Sequence, residues 1–160
     1  MKLLYFTLWI AGLALALVAC APQQDTRQIS LYYYDPSLDQ DASGNILCSQ
    51  AGLVAVQREL PVSLVGDVLI EETIRKLISG ELTEGERALG ITTEFPLEGL
   101  VMESAALRDG ELTLSFKDPN FASSGGACRV TVLRAQVEAT AMQFLDVVQV
   151  RFIPDELFQP

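Results

Sequence analysis

Histidine is absent from all 160 residues. That removes the usual general base near neutral pH, the Ser/His/Asp and Cys/His nucleophile arrangements, and the commonest transition-metal ligand. Lysine is almost as scarce: beyond Lys2 only Lys76 and Lys117 occur. A Ser/Lys dyad would need one of them desolvated, yet Lys76 falls on the polar side of a helical pattern and Lys117 follows a strand next to Asp118. Positive charge is short throughout, with 11 basic side chains against 21 acidic and a formal charge of −10. Nucleic acid and anionic headgroups repel such a surface, so neither nucleic-acid binding nor polybasic membrane docking has a basis. No Gly-rich phosphate loop joins a strand to a helix, because Ser123-Ser124-Gly125-Gly126 lacks the lysine of a P-loop.

The most specific motif that is present lies at the start. Met1 and Lys2 precede an uncharged run from Leu3 to Ala19, which ends in Leu17-Val18-Ala19-Cys20. The run is just short of a comfortable spanning helix and has no positively charged stop, which is the layout of an export signal. Its last four residues resemble the lipobox of bacterial lipoproteins. That resemblance implies cleavage before Cys20 and lipidation of Cys20, with fatty acyl chains such as palmitate. Two or more acyl chains on one residue give stable anchoring without a spanning helix. The expected layout is a signal peptide over 1–19, a lipid-anchored flexible tether over 20–28, and one domain with a short C-terminal tail over 29–160. The location implied is extracytoplasmic, on the membrane through Cys20. Processing would leave ten basic and 21 acidic side chains, a formal charge of −11.

Two cysteines then remain, Cys48 and Cys128. An even pair in an oxidising compartment is a disulfide candidate, worth about 4 kcal/mol in the chain-entropy model. Two unpaired thiols are the alternative, since a sequence does not give their separation.

Ile29 to Tyr34 is aromatic and β-branched enough for a strand, and Leu53 to Glu59 reads as a second. Ile70, Ile74, Leu77 and Ile78 then fall on one helical face, with Glu71–Arg75 and Glu72–Lys76 at i, i+4 and Gly80 as the stop. Leu100 to Leu107 and Leu112 to Phe116 flank Asp109-Gly110, a dipeptide suited to a tight hairpin turn. Val130, Leu133, Val137, Ala141 and Phe144 mark a second helix, and Val148, Val150 and Phe152 a last strand. The order β-β-α-β-β-α-β predicts a single α+β domain: a mixed sheet with two helices packed on one face.

Candidate chemistry is thin. Asp39-Gln40-Asp41-Ala42-Ser43-Gly44-Asn45 copies the opening of an EF-hand loop, but position twelve is Gln50 instead of the closing glutamate, so a polar turn is expected. Glu71, Glu72, Glu84, Glu86, Glu94 and Glu98 invite a carboxylate-pair reading, yet nothing marks two as special and solvated surface is the expectation. No catalytic residue, metal site or cofactor is assigned. Tyr32, Tyr33 and Tyr34 point to alternate faces of a strand, so at least one belongs to the core.

Several stretches together resemble the GerMN domain of sporulation and spore-germination lipoproteins. They are the helix Ile70 to Leu77, the loop Phe95-Pro96-Leu97-Glu98-Gly99-Leu100, the hairpin Leu107 to Phe116, Ala139-Thr140-Ala141 with Gln143-Phe144, and Val147-Val148-Gln149-Val150. The resemblance implies a non-enzymatic extracytoplasmic module, often lipid-anchored, related in shape to ring-building domains of envelope assemblies. The chain departs from that pattern in having one such domain, the pair Cys48 and Cys128, and the tail Pro154 to Pro160. The function expected is an envelope interaction or scaffold module whose partners are envelope proteins, a second copy of the chain among them. The alternative is a binding module for a small envelope ligand such as a glycan, using Tyr32 to Tyr34 and nearby acids. Leu157-Phe158 is either a docking element or packs back on the domain.

Overall fold

The computed structural model describes residues 25–160. The expected signal peptide, the lipid site at Cys20 and the tether up to residue 24 lie outside the described residues.

The elements are β1 (Thr26–Tyr34), β2 (Leu53–Pro61), α1 (Gly66–Ile78), α2 (Glu84–Ala88), β3 (Val101–Arg108), β4 (Glu111–Lys117), α3 (Ala127–Met142) and β5 (Gln149–Ile153). The domain is α+β, as expected, but its strands form two sheets. β1 and β2 pair antiparallel, and β3-β4-β5 make a three-stranded sheet in which β4 and β5 run parallel across α3. The reason for the split lies in the strand edges. Asp67 and Glu71 of α1 accept the backbone N–H groups of Leu107 and Ala105 on the outer edge of β3. Thr140 of α3 and Gln143, which caps its C-terminus, accept those of Tyr32 and Ser30 on the outer edge of β1, and Gln143 also donates to the Ser30 carbonyl. Edge donors satisfied by helix side chains need no neighbouring strand. The helices therefore stand where a continuous sheet would have run.

β1 begins at Thr26, so Thr26 to Gln28, expected in the tether, are ladder residues opposite Pro61 to Glu59. The hairpin turns at Asp109 and Gly110, both at positive φ (51° and 84°) as a two-residue primed turn requires. Helix α1 buries Ile70, Ile74 and Leu77, with Ile78 partly buried. Arg75 bonds Glu71 at 2.7 Å and also reaches Glu72 at 3.7 Å, in place of the expected Glu72–Lys76 pair. Gly80 ends the helix at φ 68°, and a Cβ there would collide with the Phe95 carbonyl. The short helix α2 escaped the periodicity reading; its signature is the capping box of Thr83 and Glu86.

The core joins both sheets and both long helices, from Leu31, Tyr33 and Val56 through Ile74 and Leu77 to Leu112, Leu114, Leu133 and Val137. The C-terminal tail completes it. Leu157 and Phe158 are buried, and the Phe158 ring packs edge-on against Phe152 and Phe116 at 5.3 and 6.3 Å. Of the two readings for that dipeptide, packing back on the domain is the one observed.

Strand directions give the domain two ends. Asp25, the β2–α1 loop, the 108–111 hairpin tip and the α3–β5 loop gather at the near end. Asp25 accepts from the Val62 N–H, Asp67 pairs with Arg108, and Gly110 accepts from Val148. At the far end lie the 35–52 loop, residues 79–100 and 117–127, and the C-terminus.

Candidate functional site

The most developed constellation is at the far end, where β1 runs into the loop that the sequence marked as calcium-like. Asp39 is 1% exposed and turned inward. It accepts the Tyr34 hydroxyl at 2.5 Å, and the Ser49 N–H and hydroxyl at 2.6 Å each. The Ser49 hydroxyl and the Tyr34 phenol hold the Asp39 carboxyl below its ordinary range. Burial, and then the bond to Asp39, push the Tyr34 phenol up to about 12. Asp41 faces its own turn, accepting from Asn45 and from the Ser43 N–H, chiefly the Asn45 side chain holding it low. The two acids of the EF-hand-like motif thus build a turn, as expected, with their oxygens already committed. Among the described residues no group of three or more metal-ligating side chains comes together.

The loop is also tied across the fold. Cys48 and Cys128 form a disulfide with Cα atoms 5.2 Å apart, linking the loop to the first turn of α3. Between loop and helix lies a pocket of about 540 Å³, walled by Ile46, Val132, Leu133 and Cys128, with Tyr34, Thr93, Gln136 and Arg129 contributing polar atoms. Those polar atoms are engaged with one another or with neighbours. Thr93 donates to Gln136, Tyr34 to Asp39, and Arg129 bonds Glu94 and the Ala122 and Ser124 carbonyls. The pocket is mostly apolar and its size suits a ligand or a partner side chain.

Of the tyrosines singled out by sequence, Tyr33 and Tyr34 are buried and Tyr32 is half-buried. Burial pushes the Tyr33 phenol up to about 12. The three do not form the shared stacking surface a glycan site would use. Among the glutamates, Glu86 is not plain solvated surface: both its oxygens pair with Arg58 at 2.7 and 2.8 Å while it caps α2. Arg58, with help from the Thr83 N–H and against the pull of burial, lowers its carboxyl to about 2. Glu94 pairs with Arg129, and Lys117 with Glu103 at 3.0 Å.

A second feature is an edge. Ser30 and Tyr32 aim their N–H groups away from β2, so the pairs Ser30–Gln57 and Tyr32–Ala55 are the non-bonded kind. The amides of Ala55 and Gln57 accordingly face outward from β2. Ala55, Gln57 and Glu59 are exposed, and among the described residues no backbone group bonds to this side of the strand, where the Gln57 carbonyl accepts only from the Arg58 guanidinium. Sequence reasoning could not find it, because which edge is covered depends on where α3 docks.

No protein family matches the chain, and no curated protein does. Among solved structures, the tandem GerMN domains of the sporulation protein GerM from Bacillus subtilis superpose with a TM-score of 0.56 at 22% identity, over 87% of this chain and 44% of that one. The chain spans less than half the length of that structure. A Clostridium perfringens structure reported as a "Putative Lipoprotein" aligns over 79% of this chain and 73% of its own, at 15% identity and a TM-score of 0.43. The described domain is GerMN-like in fold. Among the described residues no helix is long and apolar enough to cross a membrane.

Proposed function

We propose that the chain is an extracytoplasmic lipoprotein, held to the membrane by lipid on Cys20, whose GerMN-like domain is a non-enzymatic interaction module of the envelope. The observation that supports it is the outward edge of β2. Ala55 offers an unpaired N–H and C=O and Gln57 an unpaired N–H, while the Gln57 carbonyl accepts from Arg58 at 2.9 Å; beside exposed side chains this is a template for adding a strand from a second chain. The partner that suits this edge is an extended protein segment, a second copy of β2 included. An antiparallel copy centred on Gln57 would set Ala55 opposite Glu59 and bring no like charges face to face.

The test is sedimentation over a wide concentration range, paired with cross-linking in intact cells. Gln57→Pro removes one outward N–H without touching the β1 ladder, so association through this edge should disappear in it. A concentration-independent monomer whose cross-links in cells are unchanged by Gln57→Pro counts against the edge. Palmitate labelling that persists in Cys20→Ala counts against the anchor.

The pocket favours a second reading, a binding module for a small ligand. With its polar atoms already engaged, it suits an apolar group better than a glycan. Chitin oligomers that raise the melting temperature would reverse that preference.

A further inference from the structure

The lipoprotein reading places a membrane anchor five residues before Asp25, and the near end exposes apolar side chains on its loops. Leu145 is fully exposed, Val148 73% and Val65 65%, with Val62 and Val68 also exposed. These lie on the β2–α1 loop with the first turn of α1, and on the α3–β5 loop. The contacts Asp25–Val62, Asp67–Arg108 and Gly110–Val148 draw both loops to the side where β1 begins.

Resting on that reading, we infer that the near end lies against the membrane surface, with Val65, Val68, Leu145 and Val148 in the headgroup layer of a phospholipid bilayer. Covalent geometry decides the orientation. Five residues span at most about 18 Å, whatever their conformation. The nine residues of β1 set the two ends apart by about 30 Å. A domain resting on its far end would need its tether to cover that longer distance, which it cannot. The far end also exposes apolar side chains, Leu38, Leu47, Leu89 and Phe121 among them, but it is carried outward together with the pocket and the disulfide. Charge selects the lipid. Asp25, Asp67, Asp109, Glu111 and Asp146 crowd the near end against Arg27 and Arg108, so a zwitterionic surface suits it and an anionic one opposes it.

The test uses a spectroscopic blank in the sequence. The only tryptophan is Trp9, within the segment that processing removes, so Leu145→Trp and Leu89→Trp would each give the full-length, processed lipoprotein a single reporter, one per end. Bound to phosphatidylcholine vesicles carrying brominated acyl chains, Leu145→Trp should be quenched at least about twofold more than Leu89→Trp, as expected for side chains sunk into the headgroup boundary. Replacing Val65, Val68 and Val148 by serine should reduce that quenching, and so should adding phosphatidylglycerol. Equal quenching at both ends, as for a domain lying on its side, or none at Leu145→Trp in protein that floats with the vesicles, overturns the orientation while leaving the anchor intact. Protein that does not float at all overturns the anchor, and the orientation with it.

Discussion

At the near end the chain is closed by a local turn and by hydrogen bonds from helix to strand edge, without a covalent cross-link among the described residues. A two-residue turn joins β3 to β4, and the carboxylates of Asp67 and Glu71, one helical turn apart, hold the edge of β3. At the far end a 16-residue stretch from Asp35 to Gln50 has little regular structure. It is held by one lock distant in sequence, Cys48 on Cys128 across 80 residues, together with Asp39 on its chain neighbours Tyr34 and Ser49. Arg58 of β2, the strand that follows this stretch, pairs with Glu86 of α2. Local turns form and re-form from the sequence around them, whereas long-range locks depend on the fold already being in place. The near end should therefore tolerate chemical insult that loosens the far end.

The largest expected effect is at the disulfide. Cys48→Ser with Cys128→Ser should cost about 4 kcal/mol in denaturant unfolding, from the loop-closure entropy returned to the unfolded chain. Limited proteolysis should then cut first within residues 39–50. First cuts at the 108–111 hairpin or the 143–148 loop would erase the contrast between the ends.

Next come the strand edges held by helices. Gln143→Ala strips both the donor and the acceptor that meet Ser30, and Asp67→Ala frees the Leu107 N–H. Each leaves backbone groups unpaired and should cost about 1–3 kcal/mol, measured by urea unfolding. The Gln143 change should be the larger, since it breaks two bonds. Equal or reversed costs would mean that the edge of β1 relies less on α3 than its geometry indicates.

Titration should separate the regions further. The Glu86 carboxyl is lowered from 4.5 to about 2 by Arg58, so the folded state binds its proton less readily than the unfolded state. Its stabilisation is complete above about pH 4.5 and is lost as pH falls towards 2. Glu86→Gln should flatten the pH dependence of the melting temperature in that window. Tyr34 moves the other way, from 10.0 up to about 12: its contribution is complete below pH 10 and lost between 10 and 12. Absorbance titration at the phenolate band should show Tyr34→Phe removing a late-titrating group.

The smallest effect on stability is expected at β2. Gln57→Lys on the outer edge should change stability by no more than about 0.5 kcal/mol, yet it should suppress association through that edge, as read by sedimentation.

Much of the fold was legible because its signals are local. Asp109-Gly110 names its turn, and Ile70, Ile74 and Leu77 name the buried face of α1, since helical and strand periods repeat within a few residues. Strand ends were less legible: Thr26 to Gln28 are polar enough to read as tether, but pairing with β2 recruits them. Glu86 carried a local signature in its capping box with Thr83, and still read as surface because its partner Arg58 is 28 residues away.

From the sequence alone come the α+β class, the element order apart from α2, the lack of histidine chemistry and the lipobox-like site at Cys20, all written in composition or in short-range spacing. The split into two sheets, the pocket beneath the 48–128 link and the open edge of β2 were decided only by tertiary structure. Each depends on which donor meets which acceptor between segments far apart in the chain, and that follows from how α1 and α3 dock against the strands.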